Sequence, residues 1–330
     1  MPEPESASDV LRPDNLVFSD LHPRGSDRRT EILSGLQKKQ KSIDSKYFYD
    51  IRGSVLFEQI TALPEYYPTR TERQILKHDA KAMAECCGHD CVLIEPGSGS
   101  SEKVRLLLDT LKPAAYVPMD ISVDFLKQSA IQLAEEYPWL HIHAVCSDFA
   151  KQEKEPEGLP EGKRVIFYPG STLGNMKPSE ASDFLKNLGR WLGRDGGVLI
   201  GIDMHKSTRV LEEAYNDKQG ITALFNLNIL SHINALVDAN FDTNRFSHLA
   251  LYNKEKYRIE MHLVSKLDQV VKLGNISISF ARGETIHTEN SYKYTVESFQ
   301  EIAQSAGFDI RAGWSDERQL FGVYYLELQN

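Results

Sequence analysis

Several common signatures are missing from this sequence of 330 residues. The four cysteines, at positions 86, 87, 91 and 146, lack the paired spacing of a zinc site, so we expect no metal and interpret them as buried free thiols. No run approaches the roughly 20 apolar residues of a membrane span. The start, MPEPESASDVLRPDN, has neither the basic nor the apolar region of a signal peptide. The cytoplasm is therefore the expected location.

Positive charge is also in short supply. The chain has 38 lysines and arginines against 47 acidic residues, which gives a formal net charge of −9. An acidic surface disfavours phosphate backbones and anionic lipids as partners. A composition of 41% apolar and 26% charged residues is typical of a globular protein. We expect a small-molecule substrate, no nucleic-acid or membrane partner, and a monomer.

Short apolar runs alternate with helical patterns between about residue 72 and residue 205. The predicted strands are 91–95, 115–119, 142–146, 165–168 and 197–203, and the predicted helices are 72–85, a segment through residues 104–111, 121–137 and 179–192. Such alternation predicts right-handed βαβ units, and hence a doubly wound, mostly parallel sheet with both faces covered. His141 and His143, at the start of the third strand, are expected to face solvent.

Beyond residue 205 the alternation stops, and the sequence predicts different elements. Residues 208–239 predict helix with a break at NDKQG, and residues 257–265 and 276–282 predict antiparallel strands. A helix over 295–306 and the runs GFDIRAGW and LFGVYYLEL predict a closing antiparallel hairpin. The predicted domains are a flexible lead-in (1–25), a mixed α+β substrate domain (26–71 and 206–293) and an α/β core (72–205 and 294–330).

Three predicted strand ends of the core carry groups that suit a nucleoside. The first strand is followed by the glycine-rich turn PGSGS, which lets a ligand approach the backbone closely. The second ends at Asp120, 21 residues past Gly99, where a carboxylate can accept hydrogen bonds from both ribose hydroxyls. The third is followed by Asp148 and Phe149, which suit an adenine amino group and ring. Because ligands bind at the carboxyl ends of parallel strands, these residues predict an adenosine ligand.

Two neighbouring residues decide between a dinucleotide and S-adenosylmethionine. The dinucleotide fingerprint G-x-G-x-x-G requires a third glycine for close helix packing. Counted from Gly97, that position is Glu102, whose charge would repel a pyrophosphate, and it is followed by Lys103, which could bind the carboxylate of a methionine moiety. S-adenosylmethionine is the better interpretation.

The fourth predicted strand is followed by the polar, glycine-flanked segment STLGN. It lacks the acidic or amide residue and two prolines that methyltransferases acting on nucleobase amines often carry. Asn175 offers both a donor and an acceptor to a small polar substrate. The hydroxyls of Ser171 and Thr172 suit a helix N-cap equally well.

The stretch TENSYKY places three polar groups together near the end of the inserted region. Glu289 and Ser291 occupy alternate positions of an extended segment and point the same way, whereas Asn290 faces away. From the residues alone, an exposed strand edge and the polar end of a pocket both stay open.

Several segments together resemble one enzyme family. They are KYFYDIRGSVLFEQITALPEYYPTRTE, EPGSGSSEK, GSTLGN, the run AYND-x-x-G-x-T-x-x-FN, RIEM and TENSYKY, in matching order from about residue 30 onwards. The chain is thereby similar to the L-histidine Nα-methyltransferases of ergothioneine biosynthesis. The resemblance implies a class I S-adenosylmethionine-dependent methyltransferase that trimethylates the α-amino group of L-histidine to hercynine and releases S-adenosylhomocysteine.

The resemblance also implies roles for individual residues. On the cofactor side it implies Tyr49, Gly97, Ser98, Gly99, Lys103, Asp120, Asp148, Phe149 and Gly170; on the substrate side Asn175 and Tyr215 for the carboxylate, Tyr66, Glu289 and Ser291 for the imidazole, and Met261 as a wall. Tyr49 is the candidate for passing on the proton of the amine. The alternatives are another amino-acid or imidazole-bearing substrate in the same family, an inactive adenosine-binding module, and a nicotinamide oxidoreductase.

Overall fold

The computed structural model describes residues 13–21, 28–149, 155–193 and 195–329. Its strands are β1 (Leu16–Asp20), β2 (Lys41–Ser42), β3 (Val92–Pro96), β4 (Ala115–Asp120), β5 (His141–Cys146), β6 (Arg164–Tyr168), β7 (Gly197–Asp203), β8 (Phe246–Asn253), β9 (Arg258–Ser265), β10 (Gln269–Leu273), β11 (Ile276–Phe280), β12 (Thr285–Tyr292), β13 (Phe308–Ser315) and β14 (Phe321–Leu328). Its α-helices are α1 (Arg28–Leu36), α2 (Ile51–Thr61), α3 (Tyr67–Cys87), α4 (Arg105–Leu111), α5 (Val123–Glu136), α6 (Pro178–Leu192), α7 (Thr208–Tyr215), α8 (Ile221–Val237) and α9 (Val296–Ser305). Short 3₁₀ helices cover Ser45–Phe48, Thr172–Asn175 and Thr243–Arg245.

The central feature is an eight-stranded sheet in the order β1-β5-β4-β3-β6-β7-β14-β13. The pairs from β1 to β7 are parallel, and β14 pairs antiparallel with both β7 and β13. The five predicted core strands and the closing antiparallel hairpin are thus confirmed. All residues of β3 and β7 are buried, as continuous apolar runs in a sheet covered on both faces require.

Helices cover both faces of this sheet. One hydrophobic cluster joins one face to α3, α4 and α5, and a second joins the opposite face to α6 and α9. The predicted helices are confirmed, but α3 begins at Tyr67, five residues earlier than the pattern indicated. Pro68 is compatible with that start because a proline in the first helical turn has no hydrogen bond to lose.

The expectation of a loosely ordered lead-in is wrong for residues 16–20. These residues form β1, which pairs in parallel with β5 along its whole length. The side-chain amide of Asn15 donates to the carbonyls of Ala134, Tyr137 and Leu140, which fixes the start of the strand. Residues 1–12 and 22–27 of the predicted lead-in lie outside the described residues.

The same added strand explains a second error, at His143. This histidine is 5% exposed, and its Nε2 lies 2.8 Å from the hydroxyl of Ser19 in β1. Burial lowers the pKa of His143, so the ring is a neutral hydrogen-bonding group inside the sheet. His141 faces solvent, as expected.

A second structural unit stands beside the large sheet. It contains a four-stranded sheet, β2-β12-β9-β8, and the hairpin β10-β11. A separate hydrophobic cluster packs these strands against α1, α2, α7 and α8. The members of that cluster come from residues 32–67 and 211–286. The division of the chain into domains stays a prediction.

The thiols and helices add two further observations. Cys87, Cys91 and Cys146 are buried, as predicted, and Cys86 is half-buried; none of these four described cysteines forms a disulfide. Within the ranges that the structure covers, no group of three or more His, Cys, Asp or Glu side chains could hold a metal ion. Nor is any described helix both long and apolar enough to cross a bilayer.

Candidate active site

A cavity of about 1150 Å³ lies between the carboxyl edge of the large sheet and the smaller unit. Of the residues that the sequence singled out, those that line it are Tyr49, Tyr66, Gly97, Ser98, Gly99, Lys103, Asp120, Asp148, Phe149, Gly170, Asn175, Tyr215, Glu289 and Ser291. The structure therefore brings both predicted groups into one cavity. Their roles towards a ligand stay predictions.

The turn after β3 is built around two glycines in the left-handed region. Gly97 has φ +73° and Gly99 has φ +53°, a conformation that a side chain disfavours. The N–H of Gly99 donates to one carboxylate oxygen of Asp120 at 3.0 Å, and the N–H of Ser122 donates to the other at 2.9 Å. Burial raises the pKa of Asp120, and these N–H groups oppose that rise by stabilising its charge. The carboxylate is thus fixed in direction at the cavity edge.

The turn also leaves space beside an aromatic ring. A Cβ placed on Gly97 would lie 3.4 Å from the ring of Phe149, an ordinary van der Waals contact, so the turn and the ring lie side by side at the cavity. Phe149 is held edge-on by Tyr168 and Phe184. These contacts suit a flat ring against Phe149 and a sugar at Asp120, and an adenosine moiety therefore fits this half of the cavity.

Lys103 has a partner that the sequence did not reveal. Its ammonium lies 2.6 Å from the carboxylate of Glu72, a residue of α3 that is 1% exposed. The other oxygen of Glu72 accepts from the N–H of Gly170 at 2.8 Å. Glu72 therefore ties α3 to two predicted cofactor residues. Glu102 also lines the cavity and lies 3.7 Å from Arg73 and 3.8 Å from Arg105.

Glu95, at the end of β3, is a buried acid that lines the same cavity. The hydroxyl of Tyr116 donates to it, but burial dominates and raises the pKa of Glu95 from 4.5 to about 8. Folding therefore takes up a proton at this site between those two pH values. The resulting stabilisation is fully present below pH 4.5 and is lost as the pH rises through about 8.

We therefore expect Glu95→Gln to flatten the pH dependence of stability. The neutral amide can keep the contact with Tyr116 without a buried charge, so the variant should melt several degrees above the unaltered protein at about pH 8.5. Thermal melts from about pH 5.5 to about pH 8.5 test this, with the exposed Glu85→Gln as the matched control. An unchanged slope in Glu95→Gln would refute the assigned burial effect.

Aromatic side chains surround the opposite half of the cavity. The rings of Tyr49 and Phe57 lie 5.9 Å apart, those of Phe57 and Tyr66 6.4 Å, and those of Tyr66 and Tyr215 6.2 Å, all edge to face. Burial raises the pKa of Tyr49 well above 10, and the charge of Glu289 adds to this rise. Tyr49 is therefore a neutral phenol at physiological pH. It can pass a proton along a hydrogen bond, but it is no ready-made base.

Glu289 and Ser291 lie on the central strand β12 of the smaller sheet. A register shift between His287 and Glu289 in the pairing with β9 re-aims the side chains at this point. Burial raises the pKa of Glu289 to about 7, and the nearby Lys293 opposes that rise. Glu289 thus remains an acceptor-only carboxylate above about pH 7.

Behind this strand lies a buried polar cluster that sequence reasoning missed. Asp203, at the end of β7, is 1% exposed and accepts from Tyr67 at 2.7 and 2.8 Å, from Lys206 at 2.6 Å and from Lys293 at 2.7 Å. The two ammonium groups hold the pKa of Asp203 low despite its burial. Two signals were available: Asp203 ends a predicted core strand, and Lys293 continues the alternation of positions 289 and 291.

Two expectations need correction. Met261 does not line the cavity: it is 1% exposed and belongs to the hydrophobic cluster of the smaller unit, because its strand, β9, is packed against α8. Its main chain pairs with Glu289, so it supports the wall from behind. Asn290 does not face away from the cavity but lines it, and the register shift next to Glu289 accounts for this.

A parallel sheet with an adenosine-fitting turn, an anchored strand-end carboxylate and an adjacent polar pocket defines a class I S-adenosylmethionine-dependent methyltransferase. The profile of the family described as "Histidine-specific methyltransferase, SAM-dependent" matches residues 28–328. The chain belongs to this family.

Individual relatives agree with that assignment. The histidine N-alpha-methyltransferase of Mycolicibacterium smegmatis is 38% identical over 89% of this chain and 93% of its own length. Ergothioneine biosynthesis protein 1 of Neurospora crassa is 31% identical over 90% of this chain and 35% of its own length. The L-tryptophan methyltransferase trpM of Psilocybe serbica is 26% identical, with 92% and 93% of the two chains covered.

Proposed function

We propose that the protein transfers three methyl groups from S-adenosylmethionine to the α-amino group of L-histidine. The products are hercynine, the first intermediate of ergothioneine biosynthesis, and S-adenosylhomocysteine. The observation that carries this proposal is the position of Glu289, a carboxylate at the polar end of a pocket that is continuous with the adenosine-fitting half of the cavity. A ring N–H is the group that such an acceptor binds.

The residues for the cofactor follow from the anchored groups. Asp120 would bind the ribose hydroxyls, and Asp148 and Phe149 would bind the adenine. The backbone of the turn Gly97–Gly99 would lie against the ligand. Lys103, with Glu72 beside it, would hold the methionine carboxylate next to Gly170. Bound S-adenosylmethionine supplies an electrophilic methyl group on its sulfonium sulfur.

The chain's own work is to position a neutral amine. Asn175 would donate to the substrate carboxylate, with Tyr215 beside it, while Tyr66, Glu289 and Ser291 would hold the imidazole, so both ends of histidine are anchored. The nitrogen between them stays free to rotate and to accept a methyl group three times. Because a free α-amino group is mostly protonated near neutral pH and each methyl transfer leaves the nitrogen positively charged, one proton must leave before each of the three transfers. The buried phenol of Tyr49 is suited to relay it.

The direct test measures products by mass spectrometry. We expect the purified protein with S-adenosylmethionine to convert L-histidine into a trimethylated product. L-tryptophan and the other amino acids should give far less methylated product. Tryptophan matters because one relative is named for it, and its indole also offers an N–H. If another amino acid is methylated faster, that amino acid and not histidine is the substrate. Tight cofactor binding without turnover of any amine would favour a binding module.

A further inference from the structure

Lys293 is a charged residue buried behind the wall of the proposed imidazole pocket, and the mechanism above does not use it. The residue is 3% exposed, and its ammonium donates to the carboxylate of Asp203 at 2.7 Å, to the hydroxyl of Ser291 at 2.6 Å and to the hydroxyl of Tyr215 at 3.2 Å. An ammonium has three protons and no lone pair. These three contacts therefore use its whole hydrogen-bonding capacity.

The hydroxyls of Ser291 and Tyr215 have one proton that is not used in the hydrogen bond between them. The hydroxyl of Tyr215 donates to that of Ser291 at 2.8 Å, and both oxygens accept from Lys293. Two hydroxyl protons are present and only one lies between the two oxygens, whichever way the pair is turned. Since the ammonium occupies the side away from the cavity, the second proton is directed into the cavity that both side chains line.

We propose that Lys293 is a positioning residue. It makes the Ser291–Tyr215 pair a hydrogen-bond donor to the acceptor nitrogen of the imidazole. Glu289 then accepts a hydrogen bond from the N–H on the other ring nitrogen. A neutral imidazole carries one donor and one acceptor, whereas an indole carries a donor only. The inference rests on the proposed function and explains how the site would prefer histidine to tryptophan.

Lys206 provides a control within the same cluster. It also pairs with Asp203, at 2.6 Å, but its other contacts are the hydroxyl of Tyr67 at 2.7 Å and the carbonyl of Met204. Replacement of either lysine removes one positive charge from Asp203. Only the replacement of Lys293 frees the two hydroxyls, so the pair of variants separates a role in substrate reading from a role in charge balance.

The experiment measures dissociation constants by calorimetry on protein saturated with S-adenosylhomocysteine. The ligands are L-histidine and the two pyrrolylalanines, each of which keeps one ring N–H and has a C–H in place of the acceptor nitrogen. The unaltered protein and Lys206→Met should prefer histidine over both analogues by about 10- to 100-fold, because an analogue leaves a buried donor unpaired. In Lys293→Met the hydroxyls can turn away, and the preference should shrink to about threefold or less.

Folding is checked by cooperative melting and by the affinity for S-adenosylhomocysteine. If Lys293→Met fails either check, the double variant Lys293→Met/Asp203→Asn, which removes the unbalanced carboxylate as well, takes its place. A retained preference for histidine, or equal weakening of all three ligands, would overturn the role of Lys293. Absence of any histidine methylation by the unaltered protein would overturn the proposed function and this inference together.

Discussion

Replacing Glu289 with leucine is expected to lower kcat/KM for L-histidine by about 100-fold, because the ring N–H loses a charged acceptor worth about 1.5–3 kcal/mol. The affinity for S-adenosylhomocysteine should stay within about twofold, since Glu289 lies in the half of the cavity away from the glycine turn. Steady-state kinetics with L-histidine and with L-phenylalanine, whose ring has no N–H, measure the effect. The loss should be selective for histidine, because leucine leaves an apolar wall that still suits an aromatic ring.

The matched control is Glu255→Leu, an exposed glutamate in the turn between β8 and β9. Its kinetics should match those of the unaltered protein. Equal losses with histidine and phenylalanine in Glu289→Leu would show that the residue shapes the pocket without binding the ring N–H. A pH series adds a second check: because burial raises the pKa of Glu289 to about 7, the affinity for histidine should rise as the pH increases through that value.

Asp120→Asn is expected to weaken binding of S-adenosylhomocysteine by about 100-fold. The amide keeps one acceptor oxygen but loses the charge that would hold the ribose hydroxyls, and hydrogen bonds to charged groups contribute about 1.5–3 kcal/mol each. The same change turns one backbone contact of the carboxylate, from Gly99 or Ser122, into a clash of two donors. Titration calorimetry with S-adenosylhomocysteine measures the loss directly.

Asp124→Asn is the control for that result, because this exposed residue opens α5 only four positions further along the chain. Binding should be unchanged in the control. If Asp120→Asn binds as tightly as the unaltered protein, the nucleoside does not rest on this strand end, and the assignment of the glycine-turn half of the cavity fails with it.

The core of the fold was predictable because its sequence signals are local. Buried parallel strands are continuous apolar runs, and helices between them carry apolar residues at helical spacing, so the β3–β7 alternation could be read segment by segment. β1 gave no such signal, since its five residues are only partly buried and its partner lies far along the chain. Strand propensity of so short a segment depends on the neighbour that it finds.

The candidate site divides in the same way. The glycine turn, Asp120 and the alternating Glu289 and Ser291 follow from strand ends and from the two-residue period of a strand. Glu72 could not be placed, and the strand-end and alternation signals at Asp203 and Lys293 did not indicate burial, because a lone charged residue predicts exposure. The burial of the three residues depends largely on charged groups and a hydroxyl that lie about 30 to 140 positions away in sequence.

The late partner of β1 has a consequence for the order of folding. Asn15 binds the carbonyl of Leu140, 125 residues downstream, so the strand cannot dock until β5 and the helix before it have been synthesised. Until β1 docks, the outer side of β5, which is almost entirely buried in the final structure, presents unpaired backbone groups. A free apolar strand edge is a template for association with another chain. β1 therefore protects this edge from association with another chain, and it can do so only once β5 has been made.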